Sequence, residues 1–180
     1  PDCVAVVNPE LGDDFQYLCA AGVVFKLAHA LMKTRKLPDF DLKECLDMVA
    51  VATISDIVPL IDENRLLVRH GLRRLPQTTN KGLMALQKIA DMKGRVTSMD
   101  VGFRIGPRIN AAGRMDEPEE ALKLLMADTE TIASDLGRKL NDFNVERQQL
   151  EKRIREEAMA MLEQKFDPVN DPVIVLGSRN

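Results

Sequence analysis

Two stretches of this chain combine residue types that could do chemistry. The first, VAVATISDIVPL over residues 49–60, sets a single carboxylate, Asp56, in an otherwise apolar run. An ionised aspartate in such surroundings has to be capped, paired or metal-bound, because an uncompensated buried charge is strongly unfavourable. Two readings stay open: Asp56 caps a turn ahead of Pro59, or it is an oxygen ligand for a hard divalent cation. The second stretch, GPRINAAGR over residues 106–114, pairs glycines that permit an irregular backbone with Arg108, Asn110 and Arg114. Two guanidiniums and a carboxamide suit phosphate oxygens, since arginine offers a planar fork of donors. The alternative is a structural loop whose arginines pair with Asp116, Glu117 or the helix downstream.

A third feature is electrostatic. Between Arg65 and Arg114 there are eleven basic residues and only two acidic ones, Asp91 and Asp100, so this segment carries +9 and the rest −12 of a net −3. Arg65, Arg69 and Arg73 recur every fourth residue and share one helix face, with no acidic residue between Arg65 and Leu75 to neutralise them. A phosphate backbone would do so, as would acidic residues from elsewhere in the fold. Phe103 is the one aromatic in the segment, so electrostatics rather than base stacking is the expected contribution. His29, in an apolar helix, reads as a satisfied core histidine, and His70 as a surface or phosphate-facing one. Cys3, Cys19 and Cys45 match no zinc spacing and read as reduced, buried thiols. Gly12-Asp13-Asp14 reads as a solvated acidic loop.

The elements that must hold these residues are mostly helical. Apolar runs at 3–7 and 173–177, each beside an Asn-Pro or Asp-Pro, read as strands whose partners lie outside this sequence, so an excised piece of a longer protein is inferred. Between them the periodicity predicts a buried helix over 19–34, a helix from an Asp41 cap to about 53, shorter helices at 63–75, 81–91 and 98–105, a glycine-containing loop, and a helix at 117–127. Residues 129–166 hold no proline and carry an apolar stripe from Ile132 through Leu140, Arg147 and Ile154 to Met161. Its step of about 3.6 residues fits a straight helix on a globular body better than the 3.5 of a coiled coil. With Asp167-Pro168 and Asp171-Pro172 after it, this helix reads as a rigid connector to a second domain.

The strings VAVATISDIVPLIDENRLLVRHGL and GFRIGPRINAAGRM, with VVNPE and LCAAGVVFKLAHAL upstream, resemble the RecJ family of bacterial single-stranded-DNA exonucleases, a branch of the DHH phosphoesterase superfamily. The likeness covers essentially the whole chain in order. It implies an α/β fold, mostly helical here: the C-terminal portion of a DHH domain over 1–127, a connector helix over 128–166, and the first strand of a DHHA1-type domain over 167–180. It also implies two Mn²⁺ or Mg²⁺ ions held by aspartates and histidines, and hydrolysis of the terminal phosphodiester from 5′ to 3′. Asp56 falls on a metal-ligand aspartate, and Arg108, Asn110 and Arg114 fall on a motif expected to hold DNA phosphates. Ala20 stands where the family commonly has glycine and Ser55 where alanine is usual. The earlier motifs with the Asp-His-His triplet are absent, so this piece alone is expected to be inactive.

With 45% apolar and 29% charged residues, disorder, collagen and disulfide scaffolds are excluded, and no apolar run is long enough to span a membrane. The absence of a leader-like start reads as cytoplasmic. The expected partner is single-stranded DNA, with single-strand-binding protein and a helicase as further candidates, and the protein is expected to be a monomer. The competing readings are a DHH relative acting on short oligonucleotides or cyclic dinucleotides, and a non-catalytic DNA-binding scaffold. An extended basic segment favours a threaded strand over a nucleotide-sized substrate.

Overall fold

The computed structural model describes residues 4–12, 15–35, 37–165 and 173–177. Its α-helices are α1 (Ala20–Thr34), α2 (Leu46–Ser55), α3 (Asp62–Arg74), α4 (Lys81–Ile89), α5 (Ser98–Asp100), α6 (Gly106–Arg114), α7 (Pro118–Leu125) and α8 (Glu130–Lys165). Short 3₁₀ turns precede α2 and follow α3, and a π-helical turn, Val101–Ile105, joins α5 to α6. No strand occurs among the described residues. Val4, Val6 and Val7 and residues 173–176 are exposed and unladdered. The two expected strands are therefore not seen, in line with the need of any strand for a partner.

Local chemistry explains where the helices start and how they meet. Asp41 accepts from the Lys43 N–H at 3.0 Å, as a cap there should, ahead of the turn that leads into α2. Asn80 caps α4 by accepting from the Leu83 N–H at 2.9 Å while its amide donates to the Leu125 carbonyl at 2.8 Å, so one side chain starts α4 and ties it to the end of α7. Thr97 and Asp100 close a reciprocal capping box at the start of α5. The Thr97 hydroxyl and backbone N–H, with Arg104 adding less, hold the Asp100 carboxyl below the usual carboxylate range. α3 has Asp62 and Glu63 in its first turn and Arg73 and Arg74 in its last, the polarity the helix dipole favours.

The core is where α2, α4, the 98–114 run, α7 and the first half of α8 meet. Leu75, Leu83, Leu86, Val101, Ile105, Leu124 and Leu140 are fully buried there. Each contributes about 1.5–3 kcal/mol of transfer free energy. α8 is the long helix expected, and its Ala133, Leu140 and Asn144 are buried on the body. From Leu150 onward its stripe is exposed, with Ile154 and Met161 at 43% and 40%, so only the first half lies on the described body.

Three expectations need correction. α1 is not a buried helix: of its residues only Gly22 is buried, and Val24, Leu27 and Leu31 are more than half exposed. His29 is exposed with them rather than a core histidine. Residues 106–114 are not a loop but helix α6. Proline has no N–H to donate and its ring crowds the carbonyl four residues back. Here the turn before Pro107 is widened, with the Gly106 N–H reaching the Val101 carbonyl five residues earlier, so the helix passes through the proline unbroken. Of the cysteines, Cys19 is buried and Cys45 half-buried, both free thiols, and burial pushes the Cys45 thiol up, with Asp47 adding to it. Cys3, Asp13 and Asp14 lie outside the described residues.

Candidate functional site

The end of α2 and the start of α6 are pressed together by a small residue. A Cβ on Gly106 would lie 2.7 Å from Ser55 Oγ and 3.3 Å from the Val101 carbonyl oxygen, so a larger residue there would have to displace the Ser55 hydroxyl. That contact puts Ile57, next to Asp56, on the same cleft as α6. The cleft encloses about 430 Å³ and is walled by Ile57, Phe103, Asn110, Arg114 and Arg147 among others. Ser55 Oγ is buried without a hydrogen-bond partner. Removing an orphaned hydroxyl relieves its desolvation, so Ser55→Ala is expected to raise stability by about 1 kcal/mol, read as a higher urea midpoint at unchanged m. A lower midpoint would show that the hydroxyl holds something in place.

Asp56 itself is not buried. It caps the C-terminal end of α2 through its backbone N–H to the Ala52 carbonyl at 2.9 Å, and its carboxylate is exposed, with no hydrogen bond or ion pair to another described residue. The apolar residues around it in sequence face inward along α2, while the helix ends in time to release Asp56. The next residue, Ile57, has φ 56° and is 89% exposed. A β-branched residue in the left-handed region is strained, and such strain gathers at functional sites. An acidic side chain at a helix C-terminus meets the negative end of the dipole, so the fold gains nothing from it there.

The motif residues separate. Asn110 and Arg114, four apart on α6, share a face and both line the cleft. Arg108 lies on the other face: its Nε donates to Asn141 Oδ1 on α8 at 3.1 Å, and its Nη1 donates to the Arg104 carbonyl at 2.5 Å. Burial, then the neighbouring Arg104 charge, pulls its guanidinium below the ordinary value. Arg108 thus fastens α6 to α8 and does not line this cleft. Of the alternative partners for the motif arginines, the downstream helix is the one Arg108 meets, through Asn141, while no pairing with Asp116 or Glu117 occurs among the described residues and Glu117 is engaged by Lys139 at 2.5 Å.

Two cleft residues escape the sequence reading as site residues. Arg147 stands in the apolar stripe of α8, bonded to Glu151 Oε2 at 2.7 Å and to Asn144 Oδ1 at 3.3 Å, with its Nε buried and unpartnered. A cation interrupting an apolar stripe is the available signal. Phe103 is 72% exposed at the cleft, where a core aromatic would be hidden. Arg65, Arg69 and Arg73 lie on the exposed side of α3, and none has an acidic partner among the described residues. His70 is exposed on the same helix, as expected.

A metal centre needs several oxygen or nitrogen donors around one point. No group of three or more His, Cys, Asp or Glu among the described residues is placed to hold an ion. Asp56 fits the provision of one oxygen ligand and no more, so these residues do not by themselves form a dinuclear site.

No family model matches the chain. Over nearly its whole length it is similar to proteins named single-stranded-DNA-specific exonuclease RecJ. It is 40% identical over 169 residues to that of Bacillus subtilis (strain 168), covering 92% of this chain and 21% of the relative. It is 38% identical over 172 residues to that of Thermus thermophilus, covering 95% and 25%, and 33% identical over 177 residues to that of Escherichia coli (strain K12), covering 91% and 31%. A crystal structure of the Thermus thermophilus RecJ in complex with Mg²⁺ superposes with TM-score 0.77 at 38% identity, over 89% of this chain and 25% of that one. A crystal structure of exonuclease RecJ bound to manganese superposes with TM-score 0.78 at 39% identity, over 91% and 40%. The chain therefore spans about a fifth to a third of the length of the curated relatives it matches.

Proposed function

We propose that this chain, a RecJ-family sequence, forms one wall of the DNA cleft of a metal-dependent exonuclease that degrades single-stranded DNA from its 5′ end. The observation that carries the reading is the convergence of Asn110, Arg114 and Arg147 with exposed Phe103 beside the Asp56 turn. Asn110 and Arg114 offer donors that suit phosphate oxygens, Arg147, held by Glu151 and Asn144, adds a guanidinium to the same wall, and an exposed aromatic gives an unpaired base a face to stack on. A paired base offers no such free face, so Phe103 supplies a physical reason for preferring single strands. Asp56 would give one carboxylate to a Mn²⁺ or Mg²⁺ whose other ligands lie outside the described residues. Such ions, when bound, stabilise the charge that builds up on the attacked phosphate. The chain's own residues hold and orient the strand, and alone the chain is expected not to hydrolyse DNA. A DHH-type domain over 1–127, with 128–166 as a connector, is the domain division that goes with this reading.

The test is digestion of 5′-labelled and 3′-labelled single-stranded DNA by the intact protein with Mn²⁺. Release of mononucleotides from the 5′ end is the expected result. Both labels left intact would overturn the nuclease reading in favour of a binding scaffold.

The cleft residues also make separable predictions. Arg114→Glu should weaken single-strand binding and lower the log–log salt slope by at least about 0.7, the share of one phosphate contact. Phe103→Ala should cost about 1–3 kcal/mol of binding with the slope unchanged, because stacking releases no counterion. Arg108→Glu should leave the slope alone and instead lower stability, since it breaks the bonds to Asn141 and Arg104. Fluorescence anisotropy across a salt series checks all three, and a slope change in Arg108→Glu would return that residue to the phosphate site.

A further inference from the structure

The basic segment is unevenly neutralised. Arg74 pairs with Glu44 at 3.4 Å, Lys93 with Asp91 at 2.9 Å and Arg104 with Asp100 at 3.3 Å. Arg104 also donates to the carbonyls of Ala90 and Asp91, closing the end of α4. These cations are occupied by the fold. Arg69 and Arg73 on α3 and Arg95 in the turn before α5 are different: all three are exposed, and none has an acidic partner among the described residues. They come from two separate parts of the chain onto one groove of about 750 Å³ that also takes in Gln77, Thr97 and Ser98. The two carboxylates nearest Arg95 in sequence are both engaged by other groups: Asp91 pairs with Lys93, and of the Asp100 oxygens one takes the Thr97 hydroxyl at 2.7 Å and the other takes Arg104.

Like charges gathered without a counter-ion repel one another, and helix α3 fixes two of the three four residues apart, so they cannot disperse. A polyanion laid along the groove would relieve that repulsion. Ser98 lines both this groove and the Asn110–Arg114–Arg147 cleft, so the two adjoin. A strand leaving the cleft past Ser98 would meet the arginines.

We propose that Arg69, Arg73 and Arg95 form a second phosphate subsite that holds the backbone of the same nucleic-acid strand some nucleotides away from the cleft. The subsite reads no bases, since its donors are guanidiniums free to meet any phosphate. It rests on the nucleic-acid reading of the cleft and adds to it a length requirement: a strand long enough to reach both places binds better than one that fills the cleft alone.

The experiment uses the intact protein and two oligothymidylates, one of about 4 and one of about 16 nucleotides, the span of common single-strand site sizes. Affinities are measured over a salt series for the parent, for the triple variant Arg69→Gln, Arg73→Gln, Arg95→Gln, and for the corresponding triple lysine variant. The expected result is a triple glutamine variant that keeps parental binding of the short strand, loses affinity for the long one, and has a long-strand salt slope smaller by about 2, three contacts at about 0.7 each. The lysine variant should keep the parental slope, because charge and not fork geometry sets counterion release, and equal melting temperatures would show that the fold is unchanged. A parental slope for the long strand in the glutamine variant would overturn the subsite while leaving the cleft reading in place. Equal losses for both strands would overturn it as a separate subsite. Failure of the parent to bind either strand would remove the nucleic-acid reading itself and the subsite with it.

Discussion

Replacing Asp56 by alanine is expected to abolish DNA hydrolysis by the intact protein, with a loss of at least about 10³ in kcat, and to leave single-strand binding in place. The size follows from the role. A divalent ion at a phosphoryl centre contributes several kcal/mol of transition-state stabilisation, and each 1.4 kcal/mol is about tenfold in rate. The direction of the accompanying effects separates this role from a structural one. Asp56 is exposed, ends α2, and uses only its backbone N–H to cap it. Its carboxylate faces the negative end of the helix dipole, so alanine should raise stability by about 0.3–1 kcal/mol rather than lower it. Without divalent ions the variant should also bind single strands slightly more tightly, because one carboxylate no longer repels the phosphates. Activity lost, stability held or raised, and affinity kept is a combination that a turn-capping aspartate does not give. Unchanged turnover in saturating Mn²⁺ would take Asp56 out of the site.

What the sequence reveals and what it hides divide along physical lines. Helices with a clean 3.6-residue period, such as α3 and α8, are legible to within a residue or two of their bounds, because packing and period agree there. The Arg65–Arg69–Arg73 face is legible for the same reason. Residues 106–114 read as a loop since Gly and Pro interrupt helices locally, whereas a π turn spanning a few residues upstream absorbs the proline. With no helix assumed, nothing in the sequence separates the face of Arg108 from that of Asn110 and Arg114. The depth of Asp56 is hidden because apolar neighbours in sequence say nothing about where a helix stops. The exposure of α1 is not readable from its composition either, since an apolar helix is buried only if something covers it. Arg95 has no periodic partner, and only folding brings it beside Arg69 and Arg73.

The second large effect expected is on stability, at Gly71. α2 carries Asp56 at its end and α3 carries the arginine face, and the two cross where Gly71 meets Leu46 and Ala50. A Cβ at position 71 would collide with the Leu46 carbonyl oxygen and with Ala50 Cβ. Neither is the movable end of a long side chain, so the helices themselves must part. In an open helix Gly→Ala stabilises by about 1 kcal/mol through propensity alone. Overpacking typically costs about 1–3 kcal/mol and more against rigid backbone. The backbone collision should win, and Gly71→Ala is expected to lose about 2 kcal/mol net, or roughly 4–8 °C in Tm for a chain of this size. Ala50→Gly, added to Gly71→Ala, removes one of the two collisions and leaves the one with Leu46. The pair should therefore be less destabilised than the sum of its single changes, a coupling of the kind neighbouring residues show. Parting α2 from α3 also shifts Asp56 relative to Asn110 and Arg114, so hydrolysis should fall in Gly71→Ala even at temperatures where the variant is fully folded. A variant as stable as the parent, with full activity, would show that the two helices separate at no cost and that their crossing does not set the geometry of the site.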